Sequence, residues 1–261
     1  MDALHTLVEF YNHLPLESTY RTVAGGILAH LDQLGEATIY DIAELTASSR
    51  TTIWRMVQKM GYDSYAEFRY ALRAALGQYT YYNRPIPAER CTGDRETVAA
   101  FAQQLRDGAA VLEAWFTPER LQELAALLYQ ARRVCFYLPF RFPSVPSLQI
   151  NLAMTGRESS FQCLLPDMLA DAATLDEHAL VWLAPVEVAS SMDMDPLFRL
   201  VQERGAGVVL TADERSRYVP YADELLFAGM HLPENSRLTG LEFGLYAVSE
   251  CFRRRYIEKR A

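Results

Sequence analysis

From Ser49 to Lys59 the chain reads Ser-Arg-Thr-Thr-Ile-Trp-Arg-Met-Val-Gln-Lys. Ile53, Met56 and Val57, with Met60 just beyond, recur at helical spacing and define one apolar face. The remaining positions, Ser49, Arg50, Thr51, Thr52, Trp54, Arg55, Gln58 and Lys59, include three cations and no acid. These are residue types that read duplex DNA. Arginine bridges guanine through two bonds, glutamine pairs with adenine, and threonine meets the thymine methyl. Ser49 and the free amides at the helix start suit a phosphate. Trp54 fits two roles equally, a ring against DNA or one partly covered at a dimer seam. A helical hairpin whose polar face is merely solvated is the plainer alternative for the whole stretch.

Positioning such a face requires a small helical domain, and the flanking sequence predicts one. Val23, Ile27, Leu28 and Leu31 form a first apolar stripe from Ser18 onward; Ile39, Ile42, Ala43 and Leu45 form a second. After the basic helix, Tyr65, Phe68, Leu72 and Leu76 form a fourth. Thr38 with Asp41 three residues on resembles a capping box, and Ser49 can cap the next helix. Gly61 after Met60 suits the left-handed residue that closes a helix. Two helices of about eight and eleven residues joined by a short polar turn have helix-turn-helix dimensions.

Charge restricts the kind of nucleic-acid binding. The 261 residues carry a net charge of −8. Residues 1–80 hold six Arg/Lys against nine Asp/Glu. Indiscriminate binding needs a broadly positive surface, so the positive charge here is local and suits a sequence-specific reader of modest, salt-sensitive affinity. No apolar run nears the roughly 18–20 residues of a membrane span, and MDALHTLVEF lacks the layout of a secretion signal. Cytoplasmic placement without membrane association is the expectation. Cys91, Cys135, Cys163 and Cys251 lack the paired spacing of a structural zinc site, so no metal or cofactor is expected. Cys135 and Cys163 lie in apolar runs and read as buried thiols.

Further along, Gly77 to Asp94 holds prolines, glycines and tyrosines without helical period and reads as a linker, or as a docked arm. Helices follow at 96–116 and 117–129. Short apolar runs at 134–138, 161–165, 180–183, 207–211 and 224–227 then alternate with helical stretches at 145–155, 166–173, 195–204, 214–222 and 238–258. That alternation predicts a doubly wound parallel sheet covered on both faces. The expected organisation is α + α/β: an all-helical helix-turn-helix domain (1–76), a linker (77–95) and an α/β domain (96–261).

Several motifs sharpen this. Thr38-Ile39, Ala43, Ser49-Arg-Thr-Thr52-Ile-Trp-Arg55, Met60-Gly61-Tyr62 and Tyr65-Ala-Glu67-Phe68 occur in that order. Residues 22–76 thereby resemble the N-terminal domain of the RpiR/MurR family of bacterial transcriptional regulators. Ala47 and Ser48 depart from the family's Gly and Val at the turn. A positive φ at Ala47 would cost on the order of 1 kcal/mol. The resemblance implies that the second domain is a sugar-isomerase (SIS) domain that senses phosphosugars, and Gly205 to Thr211 is similar to that fold's fourth strand.

By the same resemblance, phosphate would be held by Gly- and Ser-rich turns after the first and third strands. Here those turns are Leu138-Pro-Phe-Arg-Phe-Pro-Ser144 and Ala184-Pro-Val-Glu-Val-Ala-Ser190. Prolines lack the N–H that phosphate needs, and Glu187 repels it. An ordinary phosphosugar is therefore not the expected ligand. Phe140, Arg141, Phe142, Ser144, Ser190 and Ser191 are the candidate contacts for a different small-molecule effector; alternatively the domain is a dimerisation platform without a ligand. Glu158, His178, Glu187, His231 and Glu234 are nominal bases, yet none sits in a catalytic pattern, so no enzyme activity is expected. The expected partners are a double-stranded operator and a second copy in a homodimer or higher homo-oligomer. Other classes also fit, namely an interaction scaffold with a remnant head and a phosphosugar isomerase.

Overall fold

In the computed structural model, residues 3–31, 33–34, 37–78, 88–138, 142–184, 193–212, 215–226 and 234–258 are described. The chain divides into two units, one built mainly from residues 1–84 and one mainly from 85–261.

Among the described residues, five helices make the first unit: α1 Ala3–His13, α2 Thr19–Leu28, α3 Ile39–Leu45, α4 Arg50–Lys59 and α5 Tyr65–Gln78. Helix α1 was not among the expected elements, although Ala3, Thr6, Leu7 and Phe10 are buried at helical spacing. Arg21 on α2 ties down its end. The guanidinium lies 4.1 Å from the centroid of the Tyr11 ring and donates to the carbonyls of Tyr11 (2.7 Å) and Leu14 (3.0 Å). The core gathers Leu7, Val23, Ile27, Ile42, Ile53, Met56, Val57, Met60 and Phe68, all nearly devoid of solvent exposure.

The turn between α3 and α4 follows from local chemistry. Thr38 and Asp41 form the reciprocal capping box at the start of α3. That carboxyl is held below its usual range, first by the backbone bond from Thr38 and then by the hydroxyl. At its end, Ala47 N–H donates to Glu44 O (3.1 Å) and Ser48 N–H to Ala43 O (2.9 Å), a Schellman closure. Ala47 fills the left-handed position with φ of 48°, the only non-glycine with positive φ among the described residues. Helix α4 ends in the same way, with Gly61 at φ of 95° and bonds from Gly61 to Gln58 O and from Tyr62 to Val57 O.

The second unit has helices α6 (Asp94–Trp115) and α7 (Pro118–Gln130) ahead of a βα alternation. Strands β1 (Arg133–Tyr137), β2 (Glu158–Gln162), β3 (Ala179–Leu183), β4 (Gly207–Thr211) and β5 (Glu224–Leu226) are all parallel, in the order β2-β1-β3-β4-β5. Helices α8 (Ser144–Met154), α9 (Leu165–Ala172), α10 (Asp195–Glu203) and α11 (Glu234–Tyr256) complete it. This is a doubly wound sheet whose strand order reverses between β1 and β3, where such folds bind ligands.

Two expectations need correction. The second strand is 158–162, not 161–165. Its register pairs Phe136 with Phe161, and the apolar run that suggested otherwise, Cys163 to Leu165, leads into α9. No α-helix forms over the described part of 214–222, where a single 3-10 turn covers Val219–Tyr221. Cys135 and Cys163 are buried, as expected. Among the described residues no helix is long and apolar enough to cross a membrane.

Candidate nucleic-acid interface and effector cleft

Helix α4 starts at Ser49, whose Oγ accepts from the Thr52 amide (3.1 Å) and lies 2.9 Å from the Thr52 hydroxyl. Such a cap stabilises a helix by about 1 kcal/mol. Ile53, Met56 and Val57 are fully buried, which fixes the rotation of the helix about its axis. The opposite side is thereby turned to solvent. Arg50, Thr51, Trp54, Arg55, Gln58 and Lys59 are exposed, and Thr52 is half-buried under Ser49. Trp54 keeps 43% of its surface in water, so within this unit its ring is not a core residue.

The three cations differ in their surroundings. Arg50 donates to the Tyr40 hydroxyl (2.8 Å), and its guanidinium lies 4.6 Å from that ring's centroid. Lys59 Nζ stands 5.9 Å from the Tyr20 centroid. Arg55 makes no hydrogen bond or ion pair among the described residues, and its guanidinium is open to an external acceptor. Tyr40 was missed from sequence. It is 63% exposed on α3, and by holding Arg50 it becomes part of the same surface. A large aromatic two residues past a helix cap, off the apolar stripe, was the available signal.

In the second unit, Phe140, Arg141, Ser190 and Ser191 lie outside the described residues. Phe142 is buried in the sheet's core. Ser144 opens α8, wholly buried, and its polar groups are taken up internally. Its amide donates to Glu242 Oε1 (2.9 Å) and its hydroxyl to Glu242 Oε2 (2.8 Å). A carboxylate from α11 thus occupies the α8 N-terminus, where an oxyanion would otherwise be attracted. Asn151 of α8 also donates to Ser249, both to its carbonyl (3.1 Å) and to its hydroxyl (2.9 Å).

Of the nominal bases, Glu158 and His178 are exposed at the N-terminal ends of β2 and β3, the end opposite the ligand turns. Glu187, His231 and the Glu234 side chain lie outside the described residues. Another half-buried cluster surrounds Asp171, which accepts from Tyr137 (2.8 Å) and Ser160 (2.9 Å) and pairs with Arg133. Burial pushes the Cys135 thiol up to about 11. That arrangement fastens α9 to the first two strands, and none of its members is poised as a nucleophile.

A capped basic helix set against α3 through a Schellman turn is the geometry of a DNA-binding helix-turn-helix. Residues 1–79 match the model of the helix-turn-helix domain, rpiR family. That match covers the helical head alone, 79 of the 261 residues. No curated protein matches the chain. Among solved structures, the chain is similar to the NanR protein of Vibrio vulnificus complexed with ManNAc-6P, at 21% identity over 98% of this chain and 94% of that one, with a TM-score of 0.49. It is also similar to the sugar isomerase domain of an RpiR transcription factor from Sphaerobacter thermophilus, at 17% identity over 62% of this chain and 92% of that one, with a TM-score of 0.49.

Proposed function

We propose that the protein is a transcriptional regulator that inserts α4 into the major groove of an operator, while an SIS-like second domain dimerises and senses a small molecule. One observation carries this: the acid-free polar side of α4 is exposed, and Arg55 at its centre engages no protein partner among the described residues. Arg55 then reads a base, with Thr51, Gln58 and Trp54 beside it. Ser49, Arg50, Thr52 and Lys59 position the helix on the phosphates.

Dimerisation is supported by apolar side chains left in water on three helices, α6 and α8 each packing on α11. Val98, Phe101 and Leu105 on α6, Ile150 and Met154 on α8, and Phe243 on α11 are between 43% and 69% exposed. A monomer rarely leaves so many large apolar groups uncovered on one layer. A twofold dimer would present two α4 helices to half-sites about 34 Å apart.

The effector is not a phosphosugar seated at the start of α8, because Glu242 already satisfies the donors there. Enzyme chemistry finds no support in the described bases, which lie away from the ligand turns.

The test is a gel-shift titration on fragments selected from genomic DNA. Arg55→Ala should keep its circular dichroism spectrum and lose about 1–3 kcal/mol of operator affinity, together with discrimination at one base position. Unchanged affinity would remove Arg55 from the interface.

A further inference from the structure

Tyr40 and Arg50 come from different helices of the head and meet on its surface. Tyr40 is the second residue of α3 and is 63% exposed, and Arg50 opens α4. One guanidinium nitrogen, Nη1, donates to the Tyr40 hydroxyl (2.8 Å), and the same guanidinium lies 4.6 Å from the centroid of that ring. Two contacts of different kinds with one ring restrict where the guanidinium can point. Its other N–H groups meet no acceptor among the described residues, so most of the donor fork stays open.

The partner is neutral although acids stand nearby. Asp41 and Glu44, the two acids of α3, are both exposed. Asp41 is taken up by Thr38, accepting from its backbone N–H and from its hydroxyl (2.7 Å each). Neither acid forms an ion pair with Arg50. A carboxylate that held the guanidinium would cancel much of its attraction for another anion. A phenol holds it through an oxygen lone pair and the ring face, and leaves the positive charge intact. Lys59 at the far end of α4 follows the same pattern, with Nζ 5.9 Å from the Tyr20 centroid.

An arginine left free in solution loses rotamer freedom when it binds, and that loss weakens the complex. Arg50 has given up part of that freedom on folding. We propose that Tyr40 is a positioning residue of the DNA interface, holding the Arg50 guanidinium in place for a backbone phosphate without neutralising it. Tyr40 acts through Arg50 and not by touching a nucleotide itself. The inference rests on the proposed insertion of α4 into an operator, and it adds a residue of α3 to that interface.

The experiment is a double-mutant cycle in the full chain, read by gel-shift titration on the selected genomic fragments over a series of salt concentrations. Tyr40→Ala should weaken operator binding about threefold to tenfold, the range expected for freeing one long side chain. Its salt slope should match wild type, because every cation is still present. Arg50→Ala should flatten that slope by about 1 for each protomer bound. Adding Tyr40→Ala to Arg50→Ala should then change nothing further. Tyr40→Phe keeps the ring, loses the hydroxyl, and should fall between wild type and Tyr40→Ala. Because Tyr40 is exposed, these variants should melt within about 2 °C of wild type; a much lower melt would mark a structural residue and overturn the inference. Wild-type affinity in Tyr40→Ala overturns it, and so does an unchanged slope in Arg50→Ala. An equal loss on removing Tyr40 with or without Arg50 does the same, since Tyr40 would then be a direct contact. In all these outcomes wild type still binds and the regulator proposal stands. A wild-type chain that shifts no fragment sinks that proposal and this inference together.

Discussion

Arg55 illustrates how much of this surface was written locally. Its exposure follows from the burial of Ile53, Met56 and Val57, three residues visible in a window of five. The caps at Thr38 and Ser49 and the glycine closure at Gly61 were legible for the same reason, since each is a bond between residues within a few positions. Contacts across greater separations were not. Arg50 meets Tyr40 ten residues away, and Ser144 meets Glu242 ninety-eight away, with no local pattern to announce either. Two outcomes belong to this scale. Ala47 sits at φ of 48°, where a Cβ is strained, so Ala47→Gly should stabilise the head by about 0.5–1 kcal/mol in a urea melt, and no gain would mean the strain is relieved elsewhere. Burial pushes the Tyr65 hydroxyl, which donates to the Ala37 carbonyl (3.0 Å), up to about 12 from 10.0. Its neutral form is therefore favoured by folding. The associated stability is present in full below about pH 10 and is lost as pH climbs toward about 12. Tyr65→Phe should flatten that alkaline decline, as seen by comparing urea midpoints near pH 9 and near pH 11.

Between elements, the decisive contacts are those of α11. Gly240 and Gly244 face α6 and the turn after it so closely that a Cβ would lie 2.1 Å from Val111 Cγ1 and 2.0 Å from the Phe116 ring. Gly244→Ala should therefore cost about 1–3 kcal/mol by overpacking, read as a lowered Tm; an unchanged Tm would mean that Phe116 swings away freely. The element order of the second unit was readable because buried parallel strands leave continuous apolar runs, as at Val134–Leu138 and Leu180–Leu183. Strand β2 broke that rule. It contributes Ser159 and Ser160, the latter bonded to Asp171, so polarity hid its first half while the apolar start of α9 mimicked its second. The 3-10 turn at Val219–Tyr221 escaped for a related reason: Pro220 sits in a stretch whose flanking apolar residues copy helical spacing.

For the molecule as a whole, a net charge of −8 is compatible with the proposed DNA binding because α4 carries three cations and no acid on its exposed side. On the proposed dimer, operator affinity would depend on two heads acting together. Phe243→Glu combined with Leu105→Glu should convert the protein to a monomer in light scattering and weaken operator binding at least tenfold, since each head would then bind alone. A monomeric wild type would contradict this assembly. The central claim is that α4 meets DNA through its exposed cations, and the salt dependence of wild-type operator affinity tests it most directly. With Arg50 and Lys59 from two protomers on phosphates, log K against log salt concentration should fall with a slope of about −4. A slope near zero would contradict the account.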